Sequence, residues 1–207
     1  MTEVKIIYCD EDVCVCDKPR GFLSEGEGDR CVPDVLSRTF VERGEGSDVF
    51  VVHRLDRETE GLTVYARSSR SAASLSAQIA DGRMEKEYIA ELCGAPEAEQ
   101  GTLRDMLFYD RKRGKSYVVD RQRRGVREGV LEYRVIERLG SYTRVRVKLL
   151  TGRTHQIRVQ FASRGMPLRA DRRYGAPAES GRELALRACY LKFVHPRSDK
   201  IMEFGDK

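Results

Sequence analysis

The stretch HRLDRETEGL, His53 to Leu62, crowds one histidine, two arginines and three carboxylates into ten residues. Asp56, Glu58 and Glu60 followed by Gly61 imitate the opening of a calcium loop, but the twelfth position, where a bidentate Glu belongs, is Arg67. A cation there removes the calcium reading. A two-carboxylate glycosidase would need an acid and a base or nucleophile on opposite sides of the scissile bond, and Glu58 and Glu60 can face away from Asp56 in a turn. An ordinary turn or capping role for Asp56 also stands. A second stretch, TGRTHQIRVQFASRG (151–165), places Arg153, His155, Gln156 and Arg158 around an expected helix start with Thr154 as its cap. Polar donors at such a start suit an anion. Arg158, about one turn beyond Thr154, can face a pocket, and an Arg beside an Asp keeps the carboxylate ionised. One ionised Asp held by one Arg suits a nucleophile or a single base rather than a metal.

The charge distribution suggests the partner. The net charge of +5 hides an asymmetry: residues 1–100 carry 12 basic and 21 acidic side chains, residues 101–207 carry 26 and 12. Residues 111–127, RKRGKSYVVDRQRRGVR, hold eight basic side chains against Asp120, and Arg outnumbers Lys 29 to 9. Arg suits forked phosphate contacts and stacking on bases, and nucleic acid becomes the favoured partner, with Arg121, Arg123 and Arg124 as its contacts, only where the chemistry elsewhere agrees. The alternative for this run is a solvated loop.

These residues need a scaffold. Strands are expected at 4–9, 13–17, 49–53, 62–66, 86–93, 130–137, 142–150 and 184–195. Helices are expected from Pro33 to Gly44, with Val35, Leu36, Phe40 and Val41 on one face, from Ser69 to Gly82, and from Thr154 to Gly165. Residues 90–101 are the nearest thing to a linker. Strands dominate without strict βαβ alternation, so the expected fold is α+β, a mixed, largely antiparallel sheet with flanking helices in a single domain spanning 1–207. At 40% apolar and 34% charged, with no apolar run near the ~20 residues of a membrane span and no secretory leader at the N-terminus, a cytoplasmic protein is expected. Six cysteines without a CxxC pair then read as reduced thiols, not disulfides or a zinc site.

HRLDRETEGL resembles the H-R-L-D-x-x-T-S-G-L motif of the RluA-type pseudouridine synthases. Other signatures follow in order: DKPRG (17–21) resembles K-P-x-G, KEYIAEL (86–92) the K-x-Y strand, GRTHQIRVQ (152–160) the G-R-T-H-Q-I-R-V-H motif, and PLRADRRYG (167–175) the P-I-x-G-D-x-x-Y-G motif. LALRA (184–188) with VHP (194–196) resembles the closing L-H-A…H-P. His53 favours this type over the related RsuA type, and VKIIYCDED resembles the first strand of the catalytic region, with no S4 module ahead of it.

The resemblance implies an isomerase that breaks the N-glycosidic bond of a uridine in ribosomal or transfer RNA, turns the base and rejoins C5 to the ribose. Asp56 matches the catalytic Asp, Tyr88 the ring that stacks on the base and is implicated in removing the C5 proton, Arg158 the cation that pairs with the Asp, and Arg54 an Arg that helps displace the target nucleotide. His53, Arg153, His155 and Gln156 complete the expected RNA contacts. No cofactor and no metal is expected, no membrane partner, and a monomer. Four positions depart from the family pattern: Glu60 for Ser, Gln160 for His, Ala170 for Gly and Arg187 for His. The rival readings are a catalytically silent RNA-binding relative and a glycosidase of free nucleosides, which would not need the basic half.

Overall fold

A computed structural model describes residues 3–206. The elements are β1 (Lys5–Cys9), β2 (Val13–Lys18), α1 (Val32–Glu42), β3 (Phe50–Val51), β4 (Glu60–Ala66), α2 (Ser69–Ala80), β5 (Glu85–Cys93), β6 (Gln100–Asp110), β7 (Lys115–Val119), β8 (Val126–Leu139), β9 (Tyr142–Leu149), α3 (Gln156–Ala162), β10 (Leu186–Val194) and β11 (Ile201–Gly205), with 3₁₀ turns at Arg172–Tyr174 and Ala178–Ser180. The fold is α+β, and within each unit its strands pair antiparallel except β4 with β10. The chain forms two compact units, residues 1–86 with 187–207, and residues 87–186.

In the first unit β2 runs along one edge of β4, and β10 takes the start and β3 the end of the other edge. Val13 to Cys16 of β2 are all fully buried, because helices cover both faces. Val13, Val15, Leu62 and Val64 pack with Leu75 of α2 in one cluster. Cys14, Cys16 and Tyr65 pack with Leu36 and Phe40 of α1 in the other. Pro33 lies in the first turn of α1, where its missing N–H costs nothing. Ser68 caps α2 by accepting from the Ser71 N–H.

The second unit is an antiparallel sheet in the order β5-β9-β8-β6-β7. Val145 and Val147 of β9 are fully buried, while Arg144 and Arg146 on its other face pair with Glu91 and Glu87 of β5. α3 packs Val159 against Leu107 and Tyr174.

Several sequence expectations need correction. The strand at 49–53 is only Phe50–Val51, because the His53 ring takes over a strand-like bond described below. Val41 is 60% exposed rather than on the buried face of α1. Thr154 does not cap α3. The cap position is His155, in the left-handed region at φ 54°, without a side-chain cap. The supposed linker ends in β6, and the basic segment contains β7. β11 pairs with β10 beyond the expected strands.

Candidate active site

Asp56 sits on the turn between β3 and β4, which is closed by the Thr59 N–H donating to the Asp56 carbonyl at 3.0 Å. Both flanks of Asp56 are bound to the DKPRG segment and the loop after it. On one side the buried Ser24 hydroxyl donates to Leu55 O and accepts from the Leu55 N–H, both at 3.0 Å. On the other side Gly21 N–H donates to Arg57 O at 2.8 Å, and Arg57 Nε returns a bond to Gly21 O at 3.1 Å. Lys18, fully buried at the end of β2, ties the whole together: its ammonium donates to Phe22 O at 2.7 Å, Pro19 O at 3.1 Å and Arg57 O at 3.2 Å. Three carbonyls match the three donors of an ammonium. Burial pulls the Lys18 pKa down to about 8, and the negative charge of Asp56 opposes that fall. Lys18 is therefore a nearby cation for Asp56 as well as the clamp of its turn. Sequence reasoning gave neither Lys18 nor Ser24 a role, although the Lys of DKPRG at the end of an apolar strand was the available signal.

His53 is half-buried, and its Nε2 accepts the Val64 N–H at 3.1 Å. Burial, with Lys86 adding to it, drives its pKa down to about 3, so the ring is neutral and serves as an acceptor for the strand. Arg54 is exposed and its guanidinium meets the Glu25 carboxylate. Two departures from the family pattern meet: Glu60 and Arg187 are direct partners across the parallel β4–β10 pairing. Arg187 contacts both Asp17 and Glu60, the latter at 3.7 Å, and Arg20 reaches Glu60 at 3.4 Å.

In the second unit Tyr88 lies on β5 opposite Val147 and is 6% exposed. Arg158, on α3, is fully buried and makes a fork with Asp171: Nε to Oδ2 at 2.7 Å and Nη2 to Oδ1 at 2.8 Å. Its guanidinium also lies 5.3 Å from the Tyr174 ring centre. The Tyr174 hydroxyl accepts the Ser116 N–H at 2.8 Å and shares a hydrogen bond with His155 Nδ1 at 2.9 Å. The GRTHQIR and PLRADRRYG segments are thus locked by two side-chain pairs, Arg158–Asp171 and His155–Tyr174. Gln156 is buried, and its Oε1 accepts from the Thr151 hydroxyl at 2.8 Å and the Arg153 N–H at 3.0 Å, which shapes the loop from within. Arg153 donates from Nε to Glu128 O at 2.8 Å.

Arg121, Arg123 and Arg124 are all exposed on the connection between β7 and β8, where Arg123 lies 4.4 Å over the Phe108 ring. Gln160 is fully buried and donates to Asp105 at 2.7 Å. Ala170 has φ 63°, a left-handed conformation that explains why Gly is usual there.

Among the described residues one group has the donor set for a metal: Asp10, Asp12 and His195. Its donors are committed within the protein. Asp10 Oδ1 accepts the Asp12 and Val13 N–H groups, and Oδ2 accepts from the Tyr8 hydroxyl at 2.6 Å and His195 Nε2 at 2.8 Å. Asp12 is held by Arg197 at 2.7 Å and by the Ser71 hydroxyl at 3.0 Å. The group works as a lock on the β1–β2 turn. No helix among the described residues is long and apolar enough to cross a membrane.

Residues 12–163 match the family described as RNA pseudouridylate synthase. The ribosomal large subunit pseudouridine synthase D of Pasteurella multocida is 31% identical over 97% of this chain, and an uncharacterized RNA pseudouridine synthase of Aquifex aeolicus is 34% identical over 97%. The chain spans 66% and 68% of those two relatives. In structure it is similar to human RNA pseudouridylate synthase domain containing 1, with a TM-score of 0.81 at 22% identity over 99% of this chain and 83% of the other, which is a likeness of fold. The matched span contains the Asp56 turn, Tyr88 and the Arg158 helix, and the chain belongs to the RNA pseudouridylate synthase family.

Proposed function

We propose that this protein isomerises uridine to pseudouridine in RNA, with ribosomal RNA as the substrate class. The observation that carries the reading is the Asp56 turn. It presents one carboxylate on a loop fixed from both flanks by main-chain bonds and by a buried lysine. Such a loop holds a reacting group in place before the substrate arrives. One carboxylate is enough for this reaction, because the detached base is rejoined to the same ribose and no water must be activated. In this reading Asp56 is the essential carboxylate, and Tyr88 offers its ring to the base and its hydroxyl to the C5 proton. Arg158 is the cation that the family pairs with its catalytic Asp. The uridine must leave its stack, at a cost of a few kcal/mol, and Arg54 assists that step.

The basic β7–β8 connection supplies the phosphate contacts, with Arg121 and Arg124 exposed beside Arg123. Ribosomal RNA is favoured over transfer RNA by the names of relatives such as the Pasteurella large-subunit enzyme. The whole of residues 1–207 acts as one catalytic domain in the cytoplasm, without metal or cofactor, as a monomer.

Pseudouridine mapping in total RNA with and without the gene identifies the target, and purified protein on that RNA confirms it. Asp56→Asn is expected to fold, bind and give no product. Clear turnover by a folded Asn variant sinks the assignment, and RNA binding without turnover by the wild type would point to a silent relative.

A further inference from the structure

β1 and β2 are joined through Glu11 and Asp12, and the Asp10 N–H donates to Val13 O at 3.0 Å to close the turn. Asp10 opposite Val13 is therefore the hydrogen-bonded end of the hairpin. Bonded and non-bonded pairs alternate along an antiparallel ladder, so the next pair, Cys9 opposite Cys14, is a non-bonded one. Such pairs hold Cα atoms about 4.5 Å apart with both side chains on one face, at the short end of the roughly 4.4–6.8 Å range of disulfides. The packing agrees: Cys14 belongs to the cluster beneath α1, and Cys9 packs against that cluster from its edge.

The two thiols differ in access and in charge. Cys14 is fully buried and Cys9 half-buried. Arg67 Nη1 lies 3.5 Å from Cys9 Sγ. That guanidinium is fixed by Asp10 O at 2.8 Å, by Glu45 at 2.8 Å and by the Phe40 ring 4.0 Å beneath it. A hydrogen bond from the Cys14 thiol, with help from Arg67, draws the Cys9 pKa down to about 7, while the same bond and burial push Cys14 up. One sulfur is half-buried beside a cation that favours its thiolate form, and the other is a sheltered thiol directly across the ladder. That is the arrangement of an attacking and a resolving cysteine.

We propose that Cys9 and Cys14 are a redox-active pair, oxidised by a peroxide to a cross-strand disulfide and returned to thiols by a dithiol reductant. The Cys9 thiolate attacks hydrogen peroxide. An S–O bond forms, the O–O bond breaks, and the departing hydroxide takes a proton to leave as water. The Cys14 sulfur then attacks the Cys9 sulfenic sulfur. The S–S bond forms, the S–O bond breaks, and the hydroxide leaves as a second water with the Cys14 proton. In sum two thiols lose two electrons and two protons, and the peroxide becomes two waters. A dithiol reverses the bond by exchange and is itself oxidised. The loop closed by this bond is so short that less chain entropy is removed than by a bridge closing a long loop. The bond is a reversible mark on the hairpin, not a staple for the fold. Cys16 is excluded as the resolving partner because it shares a strand with Cys14 and faces Ile6 across the ladder.

The test uses the wild-type chain, with Cys93 and Cys189 as half-buried internal controls. After hydrogen peroxide, alkylation and cleavage before aspartates, the peptides carrying Cys9 and Cys14 are expected joined, two hydrogens lighter than the separate thiols, and separated again by dithiothreitol. The joined species persists in Cys16→Ser and is absent from Cys14→Ser. At pH 7 and without peroxide, Cys9 should react with iodoacetamide at least about 5-fold faster than Cys93, whose thiol burial pushes up: roughly 50-fold or more thiolate, offset about 10-fold by weaker nucleophilicity. No joined peptide in the wild type, or a Cys9 rate equal to that of Cys93, overturns the proposal.

Discussion

Replacing Asp171 by Asn keeps the shape of the side chain and deletes its charge. The Arg158–Asp171 pair is one of the most buried in the protein, with side chains 2% and 1% exposed and a two-bond fork at 2.7 and 2.8 Å. An amide NH₂ would face one guanidinium donor, and the cation would lose the carboxylate charge of its Asp171 fork far from water. Breaking a buried pair on one side costs about 3–5 kcal/mol, which raises the unfolded-to-folded ratio by roughly 10² to 10³·⁵. With a guanidinium m-value of about 4 kcal/mol/M, the midpoint should fall by about 1 M. The chain has no tryptophan, so the transition is followed by far-ultraviolet circular dichroism and tyrosine emission. The double variant Arg158→Met with Asp171→Leu removes both charges and should return most of the lost stability, yet it should remain inactive on RNA. A midpoint shift below about 0.3 M for Asp171→Asn refutes the energetic reasoning. Pseudouridine formation by the double variant refutes the role of Arg158.

Three further outcomes are expected. Lys18 has its pKa lowered from the ordinary 10.5 to about 8, so between those values the unfolded chain binds the extra proton. Stability contributed at this site therefore rises with pH from about 8 to 10.5, and Lys18→Met should flatten that part of a denaturation-versus-pH profile; an unaltered slope removes the buried-charge account. Ala170→Gly relieves a left-handed alanine, which costs ~1–2 kcal/mol, against a glycine entropy penalty of ~0.5–1 kcal/mol. A thermal melt should show a gain of up to about 1.5 kcal/mol, and a loss would contradict the strain. Replacing Arg121, Arg123 and Arg124 with Gln should reduce the salt dependence of RNA binding by on the order of 2 in slope, at ~0.7 per contact, with turnover at saturating RNA retained. An unchanged slope in salt titrations makes the segment a solvated loop.

Residues whose periodicity survives in the chain were legible. The unbroken apolar run of β2 and the alternation in β9 are visible because one or both faces of those strands are dry. β6 and β7 were not. β6 buries only Leu103 and Leu107 of its eleven residues, and the buried residue of β7 is Ser116, so neither shows an apolar face. Charge dominated that region and concealed its strands. The start of α3 was misplaced because His155 takes a conformation that its residue type does not announce.

At the site, the motif spacing made Asp56, Tyr88 and Arg158 visible as candidates. The Lys18 clamp was hidden because all three of its acceptors are main-chain carbonyls, which no side-chain pattern reveals. Glu60 and Arg187 looked like two separate departures from the family pattern. Only the parallel register of β4 and β10 shows that they are partners in one ion pair.

Gly61, on the turn's exit into β4, has φ +117°, and a Cβ there would lie 2.2 Å from Ala188 O. The motif glycine is thus the place where β10 comes against β4, and β10 is translated long after it. At about 5–20 residues per second, some 6–25 s separate the emergence of β4 from that of β10. The meander of residues 87–186 is complete in sequence before then, while β4 waits with an open edge at Glu60–Gly61, a template for wrong strand pairing. Synthesis therefore assembles the two units out of chain order: the segment that begins first is the last to close, and the turn carrying Asp56 gains its neighbouring strand only when the closing residues arrive.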